Sequence, residues 1–170
     1  MHVYGRNAVL ALHQERPDAI IRLYLDQNES NGYRHLMKYM AQKKLAYHIV
    51  DSAELERLTQ STHHGGVCLL TQRPPILEFS AWLKSRPKAS AGELILCLEG
   101  VENPHNLGAI MRTCAHFGVK SILLDHPKKA QSSSAFRVAE GGAEYLQLVD
   151  TSKEKSLMAK LASAQMTTIA

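Results

Sequence analysis

The stretch Leu94-Ile95-Leu96-Cys97-Leu98, followed at once by Glu99-Gly100-Val101-Glu102-Asn103-Pro104-His105-Asn106, decides how this chain is read. The continuous apolar run suits a strand buried on both faces of a parallel sheet. The polar segment after it, with its glycine and proline, makes a turn. A helix follows to about Phe117, where Gly118 stops it. Leu107, Ile110, Met111, Cys114 and Phe117 recur at helical spacing and predict one buried stripe.

Downstream, the pattern repeats. Residues 119–124 read as the next strand, a helix lies near 134–139, and 146–149 form another strand. Residues 152–165 read as a helix with Leu157 and Leu161 on one face. Thr167-Thr168-Ile169 is strand-like and continues a βαβ rhythm. A parallel sheet needs such a strand completed and covered, so the expectation is a chain cut in mid-fold.

Upstream, a second pattern mixes helix and strand. Residues 7–14 read as a short helix, and 20–25 as a strand closed by Asp26-Gln27-Asn28. Tyr33, Leu36, Met37, Met40 and Ala41 mark a helix, and 46–50 a second strand. Asp51 or Ser52 caps a helix to about Gln60 with Leu55 and Leu58 inward, and 66–70 is a third strand. Prolines, serines and basic residues cluster at Arg73-Pro74-Pro75 and again at 84–92, with Trp82 between them in a segment compatible with a short helix. The expected organisation is a small α/β unit over 1–72, a linker over 73–92, and the start of a parallel-sheet unit over 93–170.

Composition agrees with a globular α/β chain. Of the 170 residues, 45% are hydrophobic and 21% charged, too apolar for a disordered chain. No apolar run approaches the roughly 18 residues that span a bilayer, and residues 1–6 lack a signal-peptide pattern, so no membrane partner and a cytoplasmic location are expected. Cys68, Cys97 and Cys114 are odd in number, show no C-x-x-C spacing and lie in apolar stretches; all three are expected as reduced core residues. The net charge of +4 leans toward a polyanionic partner. Residues 1–73 hold nine lysines and arginines against seven carboxylates, 74–92 three against one, and 93–170 eight against eight. A nucleic acid would therefore meet the first unit and the linker; charge alone equally fits a solvated surface with extra lysines.

Several standard sites are missing: no G-x-G-x-x-G, no P-loop, no H-E-x-x-H and no G-x-S-x-G occurs. His63-His64 is the one adjacent histidine pair, and neighbours on a strand point to opposite faces, so no metal is expected there. The informative stretch is 103–113. It sits at the carboxyl end of a strand, where open α/β sheets place ligands, and it opens a helix whose free N–H groups attract anions. Arg112 falls off the apolar stripe, where it can hold a phosphate bidentately or stabilise a developing alkoxide. Asn106 both donates and accepts. From spacing alone, a capped helix with one exposed arginine fits equally well.

Residues 96–119, from Leu96-Cys97-Leu98-Glu99-Gly100 through Asn103-Pro104-His105-Asn106-Leu107-Gly108 and Met111-Arg112-Thr113 to Gly118-Val119, resemble the first signature motif of the SpoU, or TrmH, RNA methyltransferases. Val138-Ala139-Glu140-Gly141-Gly142-Ala143-Glu144 is similar to the small-residue segment that follows in the family. Tyr4-Gly5-Arg6-Asn7-Ala8-Val9 and His63-His64-Gly65-Gly66-Val67 resemble the two ends of its RNA substrate-binding domain.

The resemblance implies an α/β fold: a small RNA substrate-binding domain followed by a truncated trefoil-knot SPOUT methyltransferase domain with a parallel sheet. It implies S-adenosylmethionine as methyl donor, a ribose 2′-hydroxyl of tRNA or rRNA as acceptor, and a homodimer of the complete protein. It gives Arg112 the place of the catalytic arginine and Asn106 that of the motif asparagine. Arginine stays protonated at neutral pH and is a poor general base, so the roles expected of Arg112 are to anchor the substrate phosphate and polarise the hydroxyl. Asn106 would orient ribose or backbone. Arg6, His63, His64 and Arg137 are the expected RNA contacts; capping of the turn before Gly65-Gly66 is the alternative for His63, and an exposed helix position that for Arg137. Aromatic residues are 6% of the chain and read as mostly buried, so backbone and shape recognition is expected over base stacking. Two further family motifs are not reached by Ala170, and the cofactor contacts are expected C-terminal to it. The 170 residues by themselves are thus expected to bind the donor poorly and not to turn over. The competing readings are a non-catalytic RNA-binding protein that keeps the fold, and a small-molecule α/β enzyme using the helix start at Asn106 for a phosphate. The basic first unit speaks against the latter.

Overall fold

The computed structural model describes residues 1–86 and 92–169. It has two four-stranded sheets. In chain order the first unit contains β1 (His2–Tyr4), α1 (Arg6–Glu15), β2 (Ile20–Asp26), α2 (Arg34–Gln42), β3 (Ala46–Val50), α3 (Ser52–Thr59) and β4 (Val67–Thr71). Its strands run in the order β1-β4-β2-β3. β2 and β3 are parallel, while β4 is antiparallel to both β1 and β2. Leu23, Leu25, Val67, Leu69 and Val3 face α1 and α2, and Leu55 of α3 packs with Tyr4 and Cys68 on the other side.

The second sheet comprises β5 (Ile76–Glu78), β6 (Ile95–Leu98), β7 (Ser121–Leu124) and β8 (Gln147–Asp150), ordered β5-β8-β7-β6 and wholly parallel. Between them lie α4 (Phe79–Ser85), α5 (Pro104–His116), α6 (Pro127–Ala130) and α7 (Ser133–Val138), and α8 (Leu157–Ser163) follows β8. The alternation of side chains along a strand sends Ile122, Leu124 and Leu148 toward α5 and α7, and Leu123 and Val149 toward Phe79, Trp82 and Leu161. The central strands β7 and β8 are therefore covered on both faces, as a parallel sheet requires. Trp82 satisfies its indole N–H on the Ser121 hydroxyl at 3.1 Å.

Four expectations are corrected. First, the segment 73–92 is not a bare linker: β5 pairs with β8 and α4 packs beneath the sheet, because Leu77, Phe79 and Trp82 supply apolar surface that a solvated tether would expose. Residues 87–91 of that stretch lie outside the described residues. Second, β6 is an edge strand, with Leu94 66% exposed and Cys97 exposed, so an apolar run did not mean burial on both faces. Cys68 and Cys114 are buried as expected. Third, Phe117 leaves the helical stripe and is 73% exposed, since α5 ends one residue before it. Fourth, Thr167, Thr168 and Ile169 form no strand.

The two units share one hydrophobic core. Val9 and Leu12 of α1 belong to the same cluster as Leu107, Met111 and Phe136. Arg16 and Glu144 form an ion pair across the seam at 2.5 Å, and Arg73 donates to the Gln131 carbonyl at 3.0 Å. No helix among the described residues is long and apolar enough to cross a membrane.

Candidate functional site

α5 starts where the chain leaves β6. The Asn103 side chain caps it, accepting from the backbone N–H of His105 at 2.8 Å and of Asn106 at 3.4 Å, and Pro104 occupies the first turn without wasting a donor. The loop before the cap is tied to the next strand: Gly100 N–H donates to Asp125 Oδ2 at 2.9 Å. Asp125 Oδ1 is buried and has no partner among the described residues.

Gly108 sets how deeply α5 beds. A Cβ there would lie 2.5 Å from the Ala135 carbonyl oxygen and 2.7 Å from Val138 Cβ, so only glycine lets α5 and α7 cross so closely. At Gly142 an added Cβ would stand 3.0 Å from Arg112 Cα. Gly141 holds φ +91°, and a Cβ on it would meet Ala11 of α1 at 2.7 Å. The small-residue segment thus brings α1, α5 and the 142–145 turn together around Arg112.

Arg112 is exposed and lines a cleft of about 430 Å³ with Ala11, Ala115, His116, Glu140 and Tyr145. It is the one arginine of the chain with no hydrogen bond, ion pair or ring partner among the described residues. The other arginines are engaged, as with Arg16 on Glu144 and Arg137 on Glu140. Asn106 is also exposed, on the first turn of α5. Six residues separate it from Arg112, which at 3.6 residues per turn puts the two side chains roughly 120° apart around the axis. The structure therefore places both on one helix but not on one face.

The expected RNA contacts divide. Arg6, His63 and Arg137 gather at the seam between the units. Arg137 Nε donates to the His63 carbonyl at 3.0 Å and its Nη1 meets Glu140 at 3.1 Å. Asn7 of α1 donates to the other Glu140 oxygen at 2.7 Å. The Arg6 guanidinium stands 5.7 Å over the Tyr33 ring, whose hydroxyl donates to the Gly65 carbonyl at 3.0 Å. His64 does not fit the role expected of it. It is 5% exposed, Nδ1 accepts from Gly66 N–H at 3.1 Å, and Nε2 lies 3.3 Å from the Ser52 hydroxyl. Its ring shapes the loop and is not presented to a ligand.

Sequence reading missed Asn7, Tyr33, Glu140 and Asp125. Glu140 carries a signal visible only in the backbone: φ +51°, a left-handed conformation unusual for a residue with a side chain. Its two partners, Asn7 and Arg137, lie in different units; Arg137 is a local i,i+3 partner, whereas no local pattern announces Asn7.

Fold and site together define a two-part α/β architecture: a small mixed-sheet domain joined through α1 to a parallel-sheet domain, with an unpaired arginine at the seam. Residues 2–77 match the model for RNA 2′-O ribose methyltransferase substrate binding, and residues 93–170 that for the SpoU rRNA methylase family. The chain belongs to the SpoU family of methyltransferases. It is 40% identical over 161 residues to an uncharacterized tRNA/rRNA methyltransferase of Haemophilus influenzae, covering 95% of this chain and 45% of that protein. It is 43% identical over 145 residues to the uncharacterized tRNA/rRNA methyltransferase YfiF of Escherichia coli, covering 85% and 41%. The 23S rRNA (guanosine-2′-O-)-methyltransferase RlmB of Pseudomonas aeruginosa is 30% identical over 162 residues, covering 94% and 64%. The chain thus spans less than half the length of the first two relatives. A crystal structure of an RNA 2′-O ribose methyltransferase matches in fold with a TM-score of 0.72 at 20% identity, over 97% of this chain and 60% of that one. The SpoU methyltransferase AviRb of Streptomyces viridochromogenes, solved in complex with AdoMet, matches with a TM-score of 0.70 at 16% identity, over 100% and 62%.

Proposed function

We propose that the protein transfers a methyl group from S-adenosylmethionine to a ribose 2′-hydroxyl of rRNA or tRNA, and that Arg112 is the catalytic residue these 170 residues contribute. The observation that carries this reading is the state of Arg112: exposed in the seam cleft, without a partner among the described residues, on a helix whose bed is fixed by glycines. A guanidinium left unpaired beside a basic first unit is ready to take a phosphate bidentately. Held there, the phosphate fixes the adjoining ribose, and the positive charge lowers the cost of the developing 2′-alkoxide. Asn106, a third of a turn away around the helix, would orient the neighbouring backbone rather than the same oxygen.

For the donor, the fit within the described residues rests on Asp125. Its buried, unpartnered Oδ1 at the carboxyl end of β7 suits a hydroxyl or ammonium donor, and S-adenosylmethionine carries both. When bound, that group would supply a methyl on a sulfonium and leave as a neutral thioether, and the 2′-hydroxyl proton that the methyl replaces would pass to solvent water. Arg6 and Arg137, drawn to the seam by Tyr33 and Glu140, would hold RNA backbone on either side of the cleft. The homodimer implied by the family belongs to the same reading; exposed Leu94 and Phe117 beside α5 supply apolar surface for it.

The test is chemical. RNA is incubated with the protein and methyl-labelled S-adenosylmethionine, then hydrolysed in alkali. A 2′-O-methyl group blocks attack by the 2′-oxygen and leaves a label-bearing dinucleotide. Label recovered only in mononucleotides would mean base methylation and would overturn the ribose assignment.

A further inference from the structure

The sheet of the first unit has a second face that the seam does not use. The register puts His2, Leu70, Arg22 and Ala46 in one row across β1, β4, β2 and β3, and Tyr4, Cys68, Tyr24 and His48 in the next. α3 packs over β1, β4 and β2, and Leu55 covers Tyr4 and Cys68. The β2–β3 side of that face stays open. There the Tyr24 and His48 rings stack, with centroids 5.6 Å apart and an interplanar angle of 22°. Arg22 Nη1 donates to the Tyr24 hydroxyl at 3.4 Å, laying a guanidinium along the edge of the pair. Arg22 and His48 are exposed and Tyr24 is half-buried.

We infer that Tyr24, His48 and Arg22 form a stacking platform for an unpaired base of the RNA substrate, separate from the arginine cleft. The inference rests on the RNA reading above and adds a second contact to it. Tyr24 is half-buried and His48 exposed, so this pair stands apart from the mostly buried aromatic residues expected of the chain. Two nearly parallel, stacked rings on neighbouring strands leave an outer aromatic face, and any base can extend the stack there. The charge complements a polyanion. The only carboxylate these four strands place on that face is Asp26, which is 6% exposed and accepts from Asn28 N–H at 2.8 Å. The strands thus meet a phosphate chain with one cation and no exposed anion. A protein partner would be expected to ask for a broader apolar face than two rings and an arginine.

The experiment measures fluorescence anisotropy of labelled oligoadenylate, oligouridylate and ribosomal RNA on the 170-residue chain. His48→Ala and Tyr24→Ala should each weaken single-strand binding about 5- to 150-fold, the range expected for one lost base stack. Tyr24→Phe keeps the ring and should retain binding; His48→Ala alters an exposed side chain and controls for misfolding. Alanine variants that bind both oligonucleotides as tightly as the parent overturn the platform. So does a parent chain that binds ribosomal RNA but neither oligonucleotide, and that result leaves the RNA reading standing. A parent chain that binds no RNA at all overturns both.

Discussion

Arg16 and Glu144 meet across the seam with Nε 2.5 Å from Oε2, and the Glu144 side chain keeps 1% of its exposure while Arg16 keeps 20%. Arg16 Nη2 adds a second bond to Oε1 at 3.1 Å, so the pair is bidentate. Removing one partner strands a charge. Arg16→Ala should lower stability by about 3 kcal/mol or more, whereas Arg16→Met with Glu144→Leu should regain most of it. Urea unfolding of the single and double variants checks this; a double variant no more stable than Arg16→Ala would mean that the pair positions the units by something other than relieved charge burial.

Gly108 is held by contact, not by backbone angle. Gly108→Ala gains helix propensity, worth about 1 kcal/mol in an open helix. Here the new methyl meets the Ala135 carbonyl at 2.5 Å, a backbone atom that cannot swing away. The net effect should be destabilising by about 1–3 kcal/mol, as for other overpacked cores. A rise in thermal midpoint would show that α5 and α7 can part freely.

Stability should fall on mild acidification. The His13 imidazole is held below its usual range, first by burial and then by the neighbouring His35, and His2 is lowered by burial and the amino terminus. A histidine whose folded pKa lies below its unfolded value takes up its proton more readily when unfolded. Stability is therefore fully present above about pH 6.5 and declines as pH falls from there toward the lowered folded value. His13 also packs edge-on to Tyr39 at 4.7 Å, so the proton enters a packed contact between α1 and α2. His13→Gln should flatten the urea midpoint between about pH 7 and pH 5.5; an unchanged slope would remove His13 from the account.

Arg6→Ala should weaken RNA binding nearly uniformly across sequences and reduce the slope of log affinity against log salt by about one, the signature of one lost phosphate contact. Arg6 is the cleaner probe than Arg137, which also holds the His63 carbonyl and Glu140. An unaltered salt slope would place the RNA elsewhere.

Hydrophobic periodicity carried most of the fold. Leu107, Met111 and Cys114 announce α5, and Leu55 announces α3, because one buried stripe leaves its period in the sequence. β1 and β5 escaped because three residues are too few to show a period, and β5 follows Pro74-Pro75, which reads as a break. Strand order has no local signature either, so the apolar run 95–98 could not reveal that β6 lies at an edge. The candidate site was half legible. The 103–113 stretch located Arg112 and Asn106, and the resemblance drew attention to Arg6, His63 and Arg137. That His64 turns inward to Gly66 and Ser52, that Glu140 joins Asn7 to Arg137, and that Arg112 is left unpaired depend on residues up to 133 positions apart meeting in space.

The most direct test of the central claim measures methyl incorporation into RNA by the parent protein and by Arg112→Ala, at RNA concentrations that saturate both. The account predicts a fall of about 10²- to 10³-fold in methyl transfer, the usual cost of losing one group that stabilises developing charge, with RNA affinity changed far less. Transfer at the parental rate by Arg112→Ala would contradict it and take the catalytic role away from Arg112.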